Sequence, residues 1–197
     1  MSNSTSNQIS EIFNNSIHCL EQSAAELSAD IQGAADLMVD SLKQGYKILA
    51  CGNGGSAADA MHFSAELLNR FVVERHPLPA ITLAADTGTI TAIANDFSYG
   101  QVFSKQVTAL GRPGDILLAI STSGNSANII NAVNAAHEKT MKVIMLTGNG
   151  GGKLSAMIQP ADINISVPSP VTARIQEVHG LAIHCFCEII DQHFALT

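Results

Sequence analysis

Four hydroxyl side chains fall within a run of six residues, STSGNS, and this run is the strongest chemical signal in the sequence. The hydroxyls belong to Ser121, Thr122, Ser123 and Ser126. An apolar stretch at 116–120 precedes the run and a helical pattern from 127 follows it, so a bound oxyanion would meet hydroxyls, backbone amides and a positive helix end. No Lys follows the glycine, which argues against a nucleotide-binding P-loop. The alternative is a serine-rich turn that caps the helix through Ser126 and binds nothing.

A second glycine-rich turn, CGNGGS at residues 51–56, also lies between an apolar strand and a predicted helix. In open parallel sheets ligands bind beyond the carboxyl ends of the strands, so both loops are expected to open on the same edge. The turn does not match the dinucleotide-binding pattern G-x-G-x-x-G, because Ala57 stands at the third glycine position. The two loops together predict one phosphate-binding pocket.

His62 and Glu66 are four residues apart on a helix predicted at 57–71, so their side chains leave the same face of that helix. This spacing suits a metal site or an acid–base pair close to the predicted pocket. The alternative is a solvent-exposed pair without function, which is the commoner case on an arbitrary helix.

The elements that must position these residues alternate between strand and helix. Strands are predicted at 47–51, 80–84, 115–121, 142–147 and 163–167, and helices at 57–71, 87–95, 99–110, 127–139 and 172–194. This alternation indicates an α/β fold, a three-layer sandwich with a five-stranded parallel sheet between helices. Apolar positions at intervals of three and four predict an N-terminal helix pair within residues 1–45, ahead of an α/β core at 46–197.

Composition limits the class of protein. The chain has 197 residues, of which 46% are hydrophobic and 14% charged, enough for one large core with apolar surface left to bury between subunits. Its net charge of −7 argues against direct nucleic-acid binding, which depends on cationic side chains. No apolar run is long enough for a membrane span and no signal-peptide pattern opens the sequence, so a cytoplasmic location is expected. The cysteines lack metal-site spacing and are predicted to be reduced.

Four segments carry a resemblance that covers nearly the whole chain. They are CGNGGSAADAMHFSAELLNRF at 51–71, AIANDFSYGQVFSKQV at 92–107, GDILLAISTSGNSANII at 114–130 and TARIQEVHGLAIHCFCEIID at 172–191. Together they resemble the sugar isomerase (SIS) family, and within it the phosphoheptose isomerases of bacterial lipopolysaccharide synthesis. The STSGNS run alone indicates only a sugar phosphate, whereas the His, Glu and Gln positions of the first and last segments indicate an isomerase.

The resemblance implies a set of site residues. Zinc would be bound by His62, Glu66, Gln176 and His184, with Glu66 and His184 as the catalytic pair. Substrate contacts are implied for Asn53, Gly54, Gly55, Glu66, Asn95, Asp96, Ser121, Thr122, Ser123, Ser126 and Gln176. Some relatives have Asp where this chain has Ala173, which puts a sugar contact from that position in question. Glu177 and His179 match no functional position and are assigned to packing or an ion pair.

The reaction implied by the resemblance is the isomerisation of sedoheptulose 7-phosphate to D-glycero-D-manno-heptose 7-phosphate. A contrasting function belongs to a close branch of the fold, a non-catalytic homotetramer that binds the bacterial replication initiator. That branch lacks the Glu that corresponds to Glu66, so the isomerase is favoured. The family also implies a homotetramer with active sites between subunits. Gln176 and His184 are eight residues apart, about 12 Å of helical rise, so we expect different chains to supply Glu66 and His184.

Overall fold

The computed structural model describes residues 2–196 of the chain, with side chains from residue 7 onward. The helices are α1 (Ser2–Lys43), α2 (Gly55–Leu68), α3 (Thr87–Asp96), α4 (Ser104–Leu110), α5 (Ala127–Glu138), α6 (Gly152–Ser155) and α7 (Thr172–Phe194), with short 3-10 helices at Tyr99–Gln101 and Asn149–Gly151. The strands are β1 (Ile48–Gly52), β2 (Ala80–Thr82), β3 (Ile116–Ile120), β4 (Lys142–Gly148) and β5 (Ile163–Val167). Most boundaries lie within a few residues of the predicted ones, and the helix predicted at 99–110 divides into a 3-10 turn and α4.

All strand pairs are parallel, and the sheet has the order β2-β1-β3-β4-β5. The neighbouring strands β1 and β3 are buried at every residue. A parallel strand that is covered on both faces needs a continuous apolar sequence, and ILLAI in β3 meets that requirement. The predicted five-stranded parallel sheet is confirmed within residues 2–196.

Helices cover the sheet on both faces and form two hydrophobic cores. On one face α1, α2 and α7 bury side chains that include Met38, Phe63 and Phe186. On the other face α5 and the segment before α4 bury side chains that include Phe103 and Val133. The predicted three-layer α/β/α sandwich is therefore confirmed.

The predicted N-terminal helix pair is wrong in one respect, because residues 2–43 form one continuous helix, α1. The apolar pattern does lapse between Leu20 and Leu27, but the residues between them include neither Gly nor Pro. Ser23 in this gap is buried where α1 faces α7, so the gap lies within a helix that packs on α7 and not at a turn. The oligomerisation role of residues 1–45 stays a prediction.

Neither α1 nor any other helix of the described residues has the length and apolarity to cross a membrane.

The loops that follow β1, β3 and β4 lie at one edge of the sheet, where parallel strands all end. The loops that follow β3 and β4 are hydrogen-bonded to each other. The Leu154 N–H donates to the Gly124 carbonyl oxygen at 3.0 Å, and the Lys153 N–H donates to the Asn125 side-chain oxygen at 3.1 Å. The third loop thus supports the second one, and this edge of the sheet holds the candidate site.

Candidate active site

A cavity of about 200 Å³ lies where β1 and β3 end. It is lined by Asn53, Ser56, Ile120, Ser121, Thr122, Ser126, Thr172 and Gln176. The structure thus brings both predicted loops to one pocket and adds the start of α7. Ser56 and Thr172 are lining residues that the sequence analysis missed. Each is a hydroxyl residue in the first turn of a helix, a signal that could have found them.

Three helices begin at this cavity. α2 begins at Gly55, α5 at Ala127 and α7 at Thr172, and a lining residue stands in the first turn or at the cap position of each. The unpaired backbone N–H groups at a helix start carry partial positive charge and attract anions. Of the lining residues, all within the described chain, none is Lys or Arg. The pocket therefore offers an oxyanion hydroxyls and helix ends in place of cationic side chains.

Ser121 and Ser126 face each other across the second loop, with their Oγ atoms 3.2 Å apart. Ser126 occupies the cap position of α5, but its side chain makes no capping hydrogen bond. The alternative, in which Ser126 serves only to cap the helix, is therefore wrong. The turn requires glycine at Gly124, where φ is +63° and a Cβ would lie 1.9 Å from the Gly151 carbonyl oxygen. The loop is shaped so that both serine hydroxyls reach the cavity.

Gln176 lies directly against the first turn of α2. A Cβ at position 55 would come within 2.4 Å of the Gln176 Nε2 atom, so Gly55 leaves the room that this side chain needs. Gln176 therefore lies at the cavity, near the start of α2 and α7. Gly54 and Ser123 are exposed and are not among the residues that line the cavity, so their substrate contacts stay predictions.

A second group of predicted residues gathers further along the same two helices. The His62 Nε2 atom is 3.2 Å from the Glu66 Oε1 atom. The His184 ring stands edge-on to the His62 ring, with ring centroids 5.1 Å apart, and the Phe71 ring lies 5.4 Å from His184. The side chain of His62 is 41% exposed and that of Glu66 is 24% exposed. This His–Glu–His group is therefore accessible to a substrate or to another chain.

Glu66 and His184 thus both lie next to His62 of the same chain, contrary to the expectation that different chains supply them. The reason is that α2 and α7 pack side by side and run in the same direction, since Gly55 lies against Gln176 near the start of both helices and His62 lies against His184 further along. Gln176 remains eight residues before His184, about 12 Å of rise along the helix. One chain therefore does not gather all four predicted zinc ligands. Across the described residues, no three His, Cys, Asp or Glu side chains are placed so as to hold one metal ion.

A buried ion pair fixes the end of α2 next to this group. The Arg75 Nε atom is 2.7 Å from Asp191 Oδ1, and the Arg75 Nη2 group donates to the Glu66 carbonyl oxygen at 2.6 Å. Asp191 also accepts the backbone N–H groups of Val72 and Val73. Burial acts to raise the pKa of Asp191, but these hydrogen bonds and the Arg75 charge outweigh it and lower the pKa below its usual value. The pair ties the last turn of α2, with Glu66, to α7.

Two neighbours of the His–Glu–His group have raised pKa values. Burial raises the pKa of Asp59, one turn before His62 on α2, and the nearby His62 acts in the opposite direction. Burial, followed by the charges of Glu66 and Asp191, raises the pKa of Cys187 to about 12. Its thiol is therefore protonated at neutral pH and is not a candidate nucleophile.

Asn95 and Asp96 lie at the end of α3, outside the cavity lining. Both residues are exposed, and their side chains are hydrogen-bonded to each other at 2.9 Å. Their predicted contact with the substrate stays a prediction. Ala173 is exposed in the first turn of α7, one residue after the lining residue Thr172.

Glu177 and His179 serve an ion pair and packing, as predicted. Glu177 pairs with Arg174 on α7. His179 is fully buried, and its Nε2 atom lies 2.9 Å from the Thr147 carbonyl oxygen at the end of β4. Burial lowers the pKa of His179 to about 4, although the hydrogen bond with Thr147 acts to raise it. His179 is therefore neutral at physiological pH.

Comparison with known proteins yields a consistent set of matches. The model of the SIS domain family matches residues 11–148 of the chain. The phosphoheptose isomerase of Shewanella denitrificans is 59% identical over 185 residues, 94% of this chain and of that one. The solved structure of phosphoheptose isomerase GmhA from Neisseria gonorrhoeae has a TM-score of 0.91 at 50% identity, covering 95% of this chain and 99% of that chain. A phosphoheptose isomerase structure from Francisella tularensis has a TM-score of 0.93 at 49% identity, with 95% and 98% covered.

Proposed function

The chain belongs to the SIS domain family, and from its identity of 59% and 50% to two phosphoheptose isomerases we propose that it has the same activity. Its reaction interconverts sedoheptulose 7-phosphate and D-glycero-D-manno-heptose 7-phosphate, a precursor of lipopolysaccharide heptose. The observation that carries the proposal is that α2 and α7 connect an anion cavity at their start to a His–Glu–His group further along. One such cavity and one such His–Glu–His group, supplied by adjacent subunits, suit a sugar held by its phosphate and acted on at its carbonyl end.

The cavity binds the phosphate. Its hydroxyl groups, from Ser121, Thr122 and Ser126, donate to phosphate oxygens, and the helix starts add backbone N–H groups. Hydrogen bonds to charged groups are worth about 1.5–3 kcal/mol each, more than bonds between neutral groups. Holding the substrate by its unreactive end also limits the positions that the reacting carbons can take.

Glu66 and His184 carry out the proton transfers. Aldose–ketose isomerisation moves a proton between adjacent carbons and passes through an enediolate. Glu66 removes the proton from one carbon and returns it to the other, since its carboxylate is held in place by the His62 contact and by the Arg75 bond to its backbone. His184 moves a proton between the two sugar oxygens, a task suited to an imidazole because its ring nitrogens can both donate and accept a proton.

Zinc is the proposed metal, because imidazole nitrogens and a carboxylate are common zinc ligands. His62, Glu66 and His184 would hold it, and it would either polarise the sugar carbonyl as a Lewis acid or hold these side chains in place. As they stand in the described chain, these side chains are not placed so as to hold one metal ion, and His62 and Glu66 are hydrogen-bonded to each other. Gln176, the fourth ligand implied by the resemblance, would come from another chain.

We assign the chain to a cytoplasmic homotetramer with active sites between subunits. Exposed apolar side chains on the first half of α1 support an oligomer, because they would otherwise remain in water. They are Ile9, Ile12, Phe13 and Ile17, each at least 50% exposed and spaced along one face of the helix. The position of Gln176 away from His184 supports a site completed by a second chain.

A coupled assay with sedoheptulose 7-phosphate tests the proposed function. We expect turnover by the wild-type protein supplied with zinc, and its loss in Glu66→Gln. The chain retains the His–Glu–His group, which favours an enzyme over the non-catalytic branch. No turnover by the wild type, together with a stable complex with the replication initiator, would establish the alternative.

A further inference from the structure

Asn53 and Asn128 form a reciprocal amide pair between the two loops of the cavity. Asn53 Nδ2 donates to Asn128 Oδ1 at 2.9 Å, and Asn128 Nδ2 donates back to Asn53 Oδ1 at 2.8 Å. Asn53 follows β1 in the first loop, and Asn128 lies in the first turn of α5, directly after the second loop. The pair is therefore a side-chain bridge between the two loops that the anion must contact together.

A third segment joins this bridge. The Tyr99 hydroxyl donates to Asn53 Oδ1 at 2.9 Å, from the 3-10 helix that follows α3. The side-chain oxygen of Asn53, Oδ1, thus accepts two hydrogen bonds, which is as many as an amide oxygen has lone pairs to accept. Asn53 lines the cavity, but its side-chain amide is hydrogen-bonded to Asn128 and Tyr99, which leaves it little capacity to bind a ligand.

Asn128 differs from Asn53 in being shielded from the cavity. It is only 3% exposed and is not among the cavity's lining residues. A buried amide that loses its partner is not compensated by water, so breaking the pair leaves unsatisfied polar groups on both loops. The loops would then move to find other partners, which changes the distance between the first turn of α2 and the Ser121 hydroxyl.

We propose that Asn128 is a positioning residue for phosphate binding, which acts through Asn53 to set the spacing between the two loops and does not touch the substrate. Tyr99 extends the same bridge to the segment after α3. The proposal rests on the proposed function, because the anion in question is the phosphate of the sugar.

The test compares Asn128→Ala with the wild type by isomerase kinetics and by calorimetric titration with inorganic phosphate. Phosphate is bound equally in the ground and transition states, so we expect KM to rise with little change in kcat. Loss of a hydrogen-bonded pair predicts a rise of about 5- to 30-fold in KM, with a matching loss of phosphate affinity. Asn134→Ala, an exposed Asn on the same helix, is the matched control and should behave as wild type.

A double-mutant cycle distinguishes a bridge from two independent residues. Asn128→Ala should have a large effect in the wild-type background and little further effect in an Asn53→Ala background, because the bridge is already broken there. Tyr99→Phe, which removes one exposed hydroxyl, should raise KM less than Asn128→Ala. If Asn128→Ala does not fold, Asn128→Leu takes its place, since its side chain is close to Asn in size, makes neither hydrogen bond to Asn53 and adds no charge beside the phosphate.

The outcomes separate this proposal from the proposed function. A KM and a phosphate affinity within about twofold of wild type in a folded Asn128 variant would overturn it, as would a fall in kcat alone or strictly additive effects in the cycle. A wild-type protein that binds phosphate but does not turn over the sugar would overturn the isomerase function, while the phosphate titrations would still decide the role of Asn128.

Discussion

The ring of His184 stands edge-on to the ring of His62 in the same chain, with centroids 5.1 Å apart. Because His62 also contacts Glu66 at 3.2 Å, both candidate catalytic residues belong to one group on one subunit. Gln176 belongs with the phosphate cavity instead. Under the proposed function a subunit therefore carries two half-sites at different levels of the same pair of helices, one for phosphate binding and one for proton transfer.

Loss of either proton-transfer group should reduce turnover and leave the fold intact. General acid–base groups contribute about 10²- to 10⁴-fold, so Glu66→Gln and His184→Ala are each expected to lower kcat within that range. Glu188→Gln, an exposed acid on the same helix as His184, is the control and should retain activity. Circular dichroism checks the fold, and near-wild-type rates in both variants would remove these residues from the mechanism.

Mixed oligomers should reveal how the two halves combine. If the site lies between subunits, inactive Glu66→Ala chains reassembled with Ser121→Ala/Ser126→Ala chains should show more activity at low substrate concentration than the serine variant alone, because some sites then pair two intact halves. Glu66→Ala mixed with His184→Ala should regain none, since both residues lie in one half. A gain of activity in neither mixture would mean that each site is built from one chain. A monomer in sedimentation would exclude a shared site.

Phosphate affinity should depend on the hydroxyls of the second loop. Ser121→Ala/Ser126→Ala removes two donors, each worth about 1.5–3 kcal/mol to a charged group, so KM for sedoheptulose 7-phosphate should rise at least about tenfold. Ser28→Ala on α1 removes a hydroxyl outside the cavity and should leave KM unchanged. An unchanged KM in the double variant would place the phosphate elsewhere.

Stability should fall in acid because of His179. Its folded-state pKa of about 4 lies below the unfolded value of about 6.5, so below pH 6.5 the unfolded chain binds a proton that the folded chain does not. The stabilisation is complete above that pH and is lost as the pH falls toward 4, at up to about 1.4 kcal/mol per pH unit. Urea unfolding from pH 7.5 to 4.5 should show this loss in wild type and a flatter dependence in His179→Asn. His193→Asn, at an exposed position, should keep the wild-type slope.

Local sequence patterns were sufficient to predict most of the α/β core. The strand predicted at 163–167 and the helix predicted at 172–194 coincide with β5 and α7. Pro168 and Pro170 stand between the short apolar run of β5 and the long periodic segment of α7. They mark where the strand must end and where the helix can begin. The same local reasoning misjudged α1, because small residues that pack against α7 look like an interruption of the apolar pattern.

Which distant side chains meet could not be predicted from the sequence. The spacing of Asn53 and Asn128 along the chain carries no sign of their hydrogen bonds, and neither does that of His62 and His184. These contacts depend on how complete helices dock on the sheet, which no local pattern encodes. Candidate residues were therefore found by type and resemblance, while their division into two half-sites required the structure.

The phosphate cavity has no Lys or Arg among its described lining residues, and the whole chain carries a net charge of −7. Helix ends attract an anion over about one turn, whereas the net charge acts across a Debye length, roughly 10 Å at 0.1 M salt. An anionic sugar therefore approaches this protein against a repulsive field and meets attraction only on arrival. Its association should become faster as salt screens that field, the reverse of the behaviour of a site that steers its anion with lysines.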